Sequence, residues 1–490
     1  MDKNQKNFIF LFSLLLIVLS WGGCETQNKD AGKMPITTSS SEAREQYLKG
    51  RNLVETLQGQ ESLQYFTNAI NADTNFALAY LGRAPNQPTA KAFFADLNKA
   101  VSLADKVPEG EKLQILGFEA GVNANPIKQK EYYEKLITMY PNDERAHMLL
   151  GNFFYGQQDY QSAVEQYKKA ADIDSTYSLA YNMLGYGNRQ LMNYDAAENA
   201  FQKYIELVPN DPNPYDSYAE LLLKEGKYDQ SIENYQKALN YNPHFVSAML
   251  GIATNQMYKG NYNEARTQIQ TLFDNARNVG EKRAANFNMA VTYIAEGNLD
   301  MALNEIQKNY DIAEMNNDAA NMSGDLFNKG NILLEMGKSE QALNNFQKSV
   351  DVFNKSASSQ ELKDNVKLGL LYNEGQIAIQ QKNFKTATSK AEEFMNGVKA
   401  INNTNQIKLA HQLNGQIALA QKKADDCLSE LEQANLQNTY NLYRMALAYQ
   451  MKGDKEKAKE YCEKVINFNP LPNINTAFAL YKAKKMIQKL

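Results

Sequence analysis

Three consecutive stretches decide how this chain is read: AHMLLGNFFYGQQDYQSAVEQYKKAADIDS (146–175), AYNMLGYGNRQLMNYDAAENAFQKYIELVP (180–209) and PYDSYAELLLKEGKYDQSIENYQKALNYNP (214–243). They align without a gap at a period of 34 residues. A small residue recurs at that period, as Gly117, Gly151, Gly185, Ala219 and Ala253. Twelve positions beyond the last four stand Ala163, Ala197, Ser231 and Ala265. Sixteen beyond all five stand Tyr133, Tyr167, Phe201, Tyr235 and Ile269. Pro141, Ser175, Pro209 and Pro243 follow at plus 24, where a helix should stop.

The spacing has a steric logic. A Gly or Ala on one helix facing a small residue on the next lets two helix axes approach closely, and the large residue at plus 16 fills the adjoining gap. In this the sequence resembles the tetratricopeptide repeat, a 34-residue helix–turn–helix unit. The pattern extends upstream to Gly50, with Ser62, Phe66 and Ala69 in register, and to a degenerate unit around Ala84 interrupted by Pro85 and Pro88. Downstream the anchors are Ala290, Gly330, Gly375, Gly415 and Ala446, spaced 37, 40, 45, 40 and 31 apart. Their partners at plus 12 are Ala302, Ala342, Ala387, Cys427 and Ala458; of all twelve anchors, only those facing Asp96 and Gln129 lack a small partner. The resemblance implies an all-α solenoid of about twelve units, a right-handed superhelix. Residues 43–275 are expected to form an N-terminal array and residues 276–490 a C-terminal array with longer repeats. The last stretch, INTAFALYKAKKMIQKL (474–490), reads as an amphipathic helix with a basic outer face that caps the final unit.

The N-terminus has a different character. Lys3 and Lys6 precede FIFLFSLLLIVLSW, after which Gly22 and Gly23 lead to Cys24. A basic start, a short apolar core and small residues match a secretory signal peptide, here residues 1–23. The run is short for a membrane-spanning helix, which needs about 20 apolar residues. Cys24 after a small residue resembles the processing site of bacterial lipoproteins, which implies lipidation at Cys24 and a membrane-anchored protein facing the periplasm or the cell surface. An ordinary signal peptide or an uncleaved anchor is the alternative. Residues 24–42 are polar and aperiodic and read as a flexible tether, reaching about 23 Å root-mean-square.

Charge and composition exclude several classes. The formal net charge of −4 becomes −5 once Asp2, Lys3 and Lys6 are removed, which argues against nucleic acid as a partner. Cys427 and Cys462 could pair in an exported protein, but both fall at helix-packing positions and read as buried thiols. His147, His244 and His411 share no metal-ligand spacing, and the motifs GxGxxG, GxxxxGK[ST] and GxSxG do not occur. No catalytic residue, metal site or cofactor is expected.

What remains is a surface for other proteins. In tetratricopeptide arrays the first helix of each unit lines a concave groove. Carried over by register, that groove would present Asn152 and Tyr155, then Asn182, Tyr186 and Arg189, then Asp216 and Glu220. The family's carboxylate clamp is not reproduced, because Asp216 and Glu220 stand where basic residues would be needed. The expected function is a non-enzymatic scaffold or adaptor of the bacterial cell envelope, binding peptide or helix segments of assembly or signalling components. A regulator or sensor that controls a membrane enzyme is the alternative.

Overall fold

The structure is a computed structural model, and it describes residues 32–56 and 58–490. The signal-peptide reading, Cys24 and the first part of the tether lie outside the described residues. Among the described residues there are 25 α-helices and no β-strand.

The first 24 helices form antiparallel pairs in chain order. The first four pairs are α1 (Ser41–Glu55) with α2 (Gly59–Ala72), α3 (Ala77–Arg83) with α4 (Ala90–Leu103), α5 (Glu109–Val122) with α6 (Pro126–Met139), and α7 (Glu144–Gly156) with α8 (Tyr160–Ile173). The next four are α9 (Ser178–Gln190) with α10 (Tyr194–Leu207), α11 (Pro212–Lys224) with α12 (Tyr228–Tyr241), α13 (Val246–Lys259) with α14 (Tyr262–Asp274), and α15 (Val279–Glu296) with α16 (Leu299–Met315). The last four are α17 (Ala319–Glu335) with α18 (Ser339–Phe353), α19 (Gln360–Gln380) with α20 (Phe384–Ala400), α21 (Thr404–Ala420) with α22 (Ala424–Glu432), and α23 (Thr439–Met451) with α24 (Lys455–Ile466). A final helix, α25 (Ile474–Ile487), stands alone.

The anchors do what their size requires. A methyl group added at Gly151 or Gly330 would lie 2.5 Å from the ring of Tyr167 or Phe346, the residue sixteen positions on. Gly117 and Gly185 are filled in the same way by Tyr133 and Phe201. Ala163, Ala197, Ala265, Ala302, Ala342, Ala387, Cys427 and Ala458 are all fully buried at the crossings. The two exceptions have local remedies. Asp96 is clasped by Arg83, with Nη2 to Oδ1 at 2.7 Å and Nε to Oδ2 at 2.9 Å. Gln129 lies against Gly121, whose missing side chain leaves it room. Pro85 shortens α3, which ends at Arg83 and passes into a single 3₁₀ turn before α4. The wider spacing after residue 276 comes from longer helices: α15 has 18 residues and α19 has 21, against 13 or 14 in α5 to α14.

Three features extend beyond the sequence pattern. First, the coil meets itself after seven pairs. Arg277, just before α15, reaches Glu61 of α2 at 2.7 Å, and Asp318, the N-cap of α17, accepts from the Lys91 amide of α4 at 3.3 Å. Asn365 of α19 donates to the Asn123 carbonyl at 2.7 Å, and Asn405 of α21 to the Gly156 carbonyl at 2.8 Å. Both carbonyls belong to helix ends that have no intrahelical donor left. Second, α25 does more than cover α24. It also packs on α23 and α15, with Tyr481 over Gly297, and Phe478, Leu480, Ala483 and Met486 are buried. Lys482, expected on an outer basic face, instead pairs with Glu335 of α17 at 2.5 Å. Third, residues 33–40, expected to belong to the flexible tether, are docked on the first four pairs. Their backbone N–H groups find side-chain carboxylates: Met34 to Asp143 at 2.7 Å, Thr37 to Glu111 at 2.6 Å and Ser39 to Asp73 at 2.9 Å.

Candidate functional site

The first helices of the leading five pairs, α1, α3, α5, α7 and α9, line a groove of about 1510 Å³. Tyr47, Leu81, Phe118, Met148 and Tyr177 supply its apolar wall, and Glu55, Asp143, Glu144 and Arg145 its charged rim. Arg145 bridges to Glu55 at 2.8 Å and stacks over Tyr177 with its guanidinium 4.9 Å from the ring centre. Residues 33–36 lie along this groove, where the Lys33 ammonium meets Glu144. Burial acts to raise the Asp73 carboxyl, but hydrogen bonds from Thr38, Ser39 and Asn75 outweigh it and hold the group below its ordinary range. At Glu111 burial wins over the bonds from Thr37, and the carboxyl is pushed up.

Asn152 stands exposed in this groove and accepts a hydrogen bond from the Tyr167 hydroxyl at 2.9 Å. Tyr155 is half-buried, accepts from the Gln190 amide at 3.1 Å and meets Tyr160 edge-on. The other five register-derived residues form an inner cluster. Arg189 pairs with Glu220 at 2.9 Å and lies 4.7 Å from the centre of the Tyr186 ring, whose hydroxyl donates to Ser217 at 3.2 Å. Asn182 and Asp216 are 2% exposed and Glu220 9%. These three positions were expected to stand open to a ligand, but the packing of α9, α11 and α13 covers them. Asp216 Oδ1, Asn182 Oδ1 and Tyr235 Oη have no hydrogen-bond partner among the described residues. Burial, reinforced by the Glu220 charge, pushes the Asp216 carboxyl well above the usual carboxylate range.

His147 bonds Gln166 at 2.9 Å and the Pro141 carbonyl at 3.0 Å, and His411 meets Glu430 at 2.7 Å. Cys427 and Cys462 are separate buried thiols, each pushed up to about 11 by burial. Among the described residues no group of three or more His, Cys, Asp and Glu side chains could hold a metal ion. No described helix is long and apolar enough to cross a membrane.

A second space, of about 830 Å³ and open on one side, lies between α17, α19, α21, α23 and α25. At its floor the Tyr372 hydroxyl accepts from the amides of Gln376 at 3.3 Å and Gln416 at 3.0 Å, and also from Gln412. Sequence reasoning stopped short of these residues, although the signal was present. Asn152, Tyr186 and Glu220 follow their anchors by one position, and Asn182 and Asp216 precede theirs by three. The same two offsets from the last four anchors give Phe327 and Asn331, Tyr372 and Gln376, Gln412 and Gln416, and Tyr443 and Leu447. All eight line the cavity.

Comparison with known proteins agrees with this geometry. Residues 179–372 match the tetratricopeptide repeat-like domain family, and residues 130–178 and 440–471 match tetratricopeptide repeat families. Anaphase-promoting complex subunit 3 of Schizosaccharomyces pombe is 26% identical over 171 residues, 34% of this chain and 25% of that protein. Anaphase-promoting complex subunit cut9 of the same organism is 23% identical over 200 residues, 38% of this chain and 29% of that protein. The chain thus spans little more than a quarter of the length of these curated relatives. A tetratricopeptide repeat protein of Parabacteroides merdae is 18% identical, covers 54% of this chain and 98% of its own, and superposes with a TM-score of 0.36. With family matches over both halves and twelve helix pairs closed at their small-residue anchors, the chain is a tetratricopeptide-repeat protein.

Proposed function

We propose that this protein is a scaffold or adaptor of a bacterial cell envelope, held to a membrane by a lipid on Cys24 and receiving uncoiled peptide segments in the groove of its first five pairs. Tetratricopeptide repeats are typically non-catalytic protein-binding units, and binding is the activity this groove supports. The observation that carries the reading is residues 33–40. They lie along α1, α5 and α7 as a non-helical run whose backbone N–H groups are taken by Glu111, Asp143 and Asp73. A partner segment using the same carboxylates would compete with this run, and its own side chains would read the apolar wall. The envelope location rests on the sequence FIFLFSLLLIVLSWGGC at residues 8–24.

Two measurements test this. Cys24→Ala should abolish lipid labelling and release the protein from membranes; continued lipid incorporation would refute the anchor. A photo-crosslinking residue at position 152, in the groove, should capture a discrete protein that the same residue at position 127, 51% exposed on α6, does not. Equal capture from both positions would move the interface off the groove. The second reading, a regulator that senses a ligand, is favoured by the cavity between α17 and α25.

A further inference from the structure

We infer that the cavity of the C-terminal pairs is a binding site for a small organic carboxylate with an aromatic or otherwise apolar body. The inference deepens the sensor reading, but it stands on the cavity alone and is independent of the groove at the N-terminal end. The volume of about 830 Å³ falls in the range of small-molecule sites, roughly 300–1,000 Å³.

Three observations within the cavity point to a ligand. The first is Arg444. Its side chain is on the cavity wall and the residue is only 7% exposed. The guanidinium donates once, from Nη1 to Asn441 at 2.9 Å, and stacks 4.1 Å from the centre of the Tyr440 ring. Among the described residues it forms no ion pair, and Asn441 is the only residue to which it donates a hydrogen bond. Buried charges in folded proteins are ordinarily paired. The neighbouring cation, Lys482, already has its carboxylate in Glu335. The cavity wall therefore carries one unmatched positive charge, presented in the planar fork that suits a carboxylate.

The second observation is a pair of glycines. Gly324 in α17 and Gly369 in α19 occupy helix interiors, where glycine is disfavoured. Most other helical glycines of this array make room for a neighbouring side chain, as Gly330 does for Phe346 and Gly187 for Val164. Gly324 and Gly369 make room for nothing in the chain: an added Cβ at either would meet no described atom within 4 Å, and both line the cavity. Gly324 is exposed and Gly369 half-buried, so both stand at the open side of the cavity and leave its entrance wide.

The third is the composition of the wall. Phe327, Phe353, Tyr443 and Phe478 line the cavity and suit an apolar body, while Gln376 and Gln416, bonded to each other and to Tyr372, form a polar patch on its wall. Helix α25 closes one side through Phe478 and Lys482, so occupancy would tighten the contact between the last helix and α17.

The test is isothermal titration calorimetry of the full chain in lipid nanodiscs. The probes are 2-naphthoate and its neutral isostere 2-naphthamide. Wild type should bind one naphthoate saturably and about tenfold or more tighter than the amide, the range for a buried hydrogen bond to a charged group. Arg444→Gln should bring the two probes within about twofold of each other. Gly369→Leu should fill the space and abolish binding of both, with the thermal melt unchanged or raised. Absence of saturable naphthoate binding at millimolar concentration would overturn the inference. So would equal affinity of acid and amide in wild type, or undiminished binding by Gly369→Leu. None of these results would touch the scaffold reading, whose tests are in the groove and at Cys24.

Discussion

A methyl group added at Gly151 would sit 2.5 Å from the Tyr167 ring, whereas one added at Gly324 would meet no atom within 4 Å. The same substitution should therefore have opposite signs at the two sites. Gly151→Ala should destabilise its pair by about 1–3 kcal/mol, the range for overpacking a close crossing. Gly324→Ala should stabilise by about 0.5–1 kcal/mol, since only helix propensity changes. Denaturant melts of the two variants check both signs. Asp216 offers a second test. Its folded-state carboxyl titrates above the unfolded value, so the folded protein holds a proton that the unfolded chain releases. The stability this contributes is present below the unfolded value, near pH 4, and is lost as pH rises through the folded value. Asp216→Asn, permanently neutral, should raise stability at pH 7 and flatten its decline above about pH 4. A steeper decline in the variant, read from thermal melts across pH, would contradict the assignment.

At the scale of the helix pair, the sequence was most legible. The turn between the two helices places the residue seven beyond the anchor in the left-handed region in ten pairs: Gly226, Gly260, Gly297, Gly337 and Gly453, but also Ala124, Gln158, Met192, Lys382 and Lys422. Met192 is 71% exposed with φ 60°, so Met192→Gly should relieve strain and stabilise the pair α9–α10 by about 0.5–1 kcal/mol, measured by denaturant melting. Anchor, partner and knob could be read because they are local: all three lie within one unit and are fixed by one crossing. The helix α25 was legible as an element but not in its contacts, because its neighbour α15 is nearly two hundred residues away in sequence. Phe478→Ala should cost about 3–5 kcal/mol. Hydrogen exchange should then accelerate in α15 as well as in α23 and α24. A change confined to α23 and α24 would reduce α25 to a terminal cap.

At the scale of the molecule, what escaped the sequence is whatever depends on the coil meeting itself. Periodicity encodes how one pair sits on the next and carries no signal for the pair seven places on. Asn365, Asn403 and Asn405 look like ordinary polar residues at the starts of helices, yet their amides donate to the Asn123, Ala124 and Gly156 carbonyls at 2.7, 3.0 and 2.8 Å. Residues 33–40 look like linker for the same reason: their partners Asp73, Glu111 and Asp143 are supplied by three different pairs. The inner positions Asn182, Asp216 and Glu220 were found by register, but their burial was not, because it depends on the packing of successive inner helices. Replacing Asn365, Asn403 and Asn405 together with Ala should remove about 1 kcal/mol per bond and loosen the second turn from the first. Small-angle X-ray scattering should register a larger radius of gyration, and an unchanged profile would show the seam to be dispensable.

That seam also bears on how such a molecule can change over generations. A solenoid whose units touch only their immediate neighbours tolerates the gain or loss of one unit, since every remaining joint is unaltered. Here Arg277 must find Glu61, and Asn365 must find Asn123. Inserting or excising a single unit between them would displace the pairings on the following turn, so the number of units within one turn is constrained and duplication there is disfavoured, leaving growth to the ends of the array.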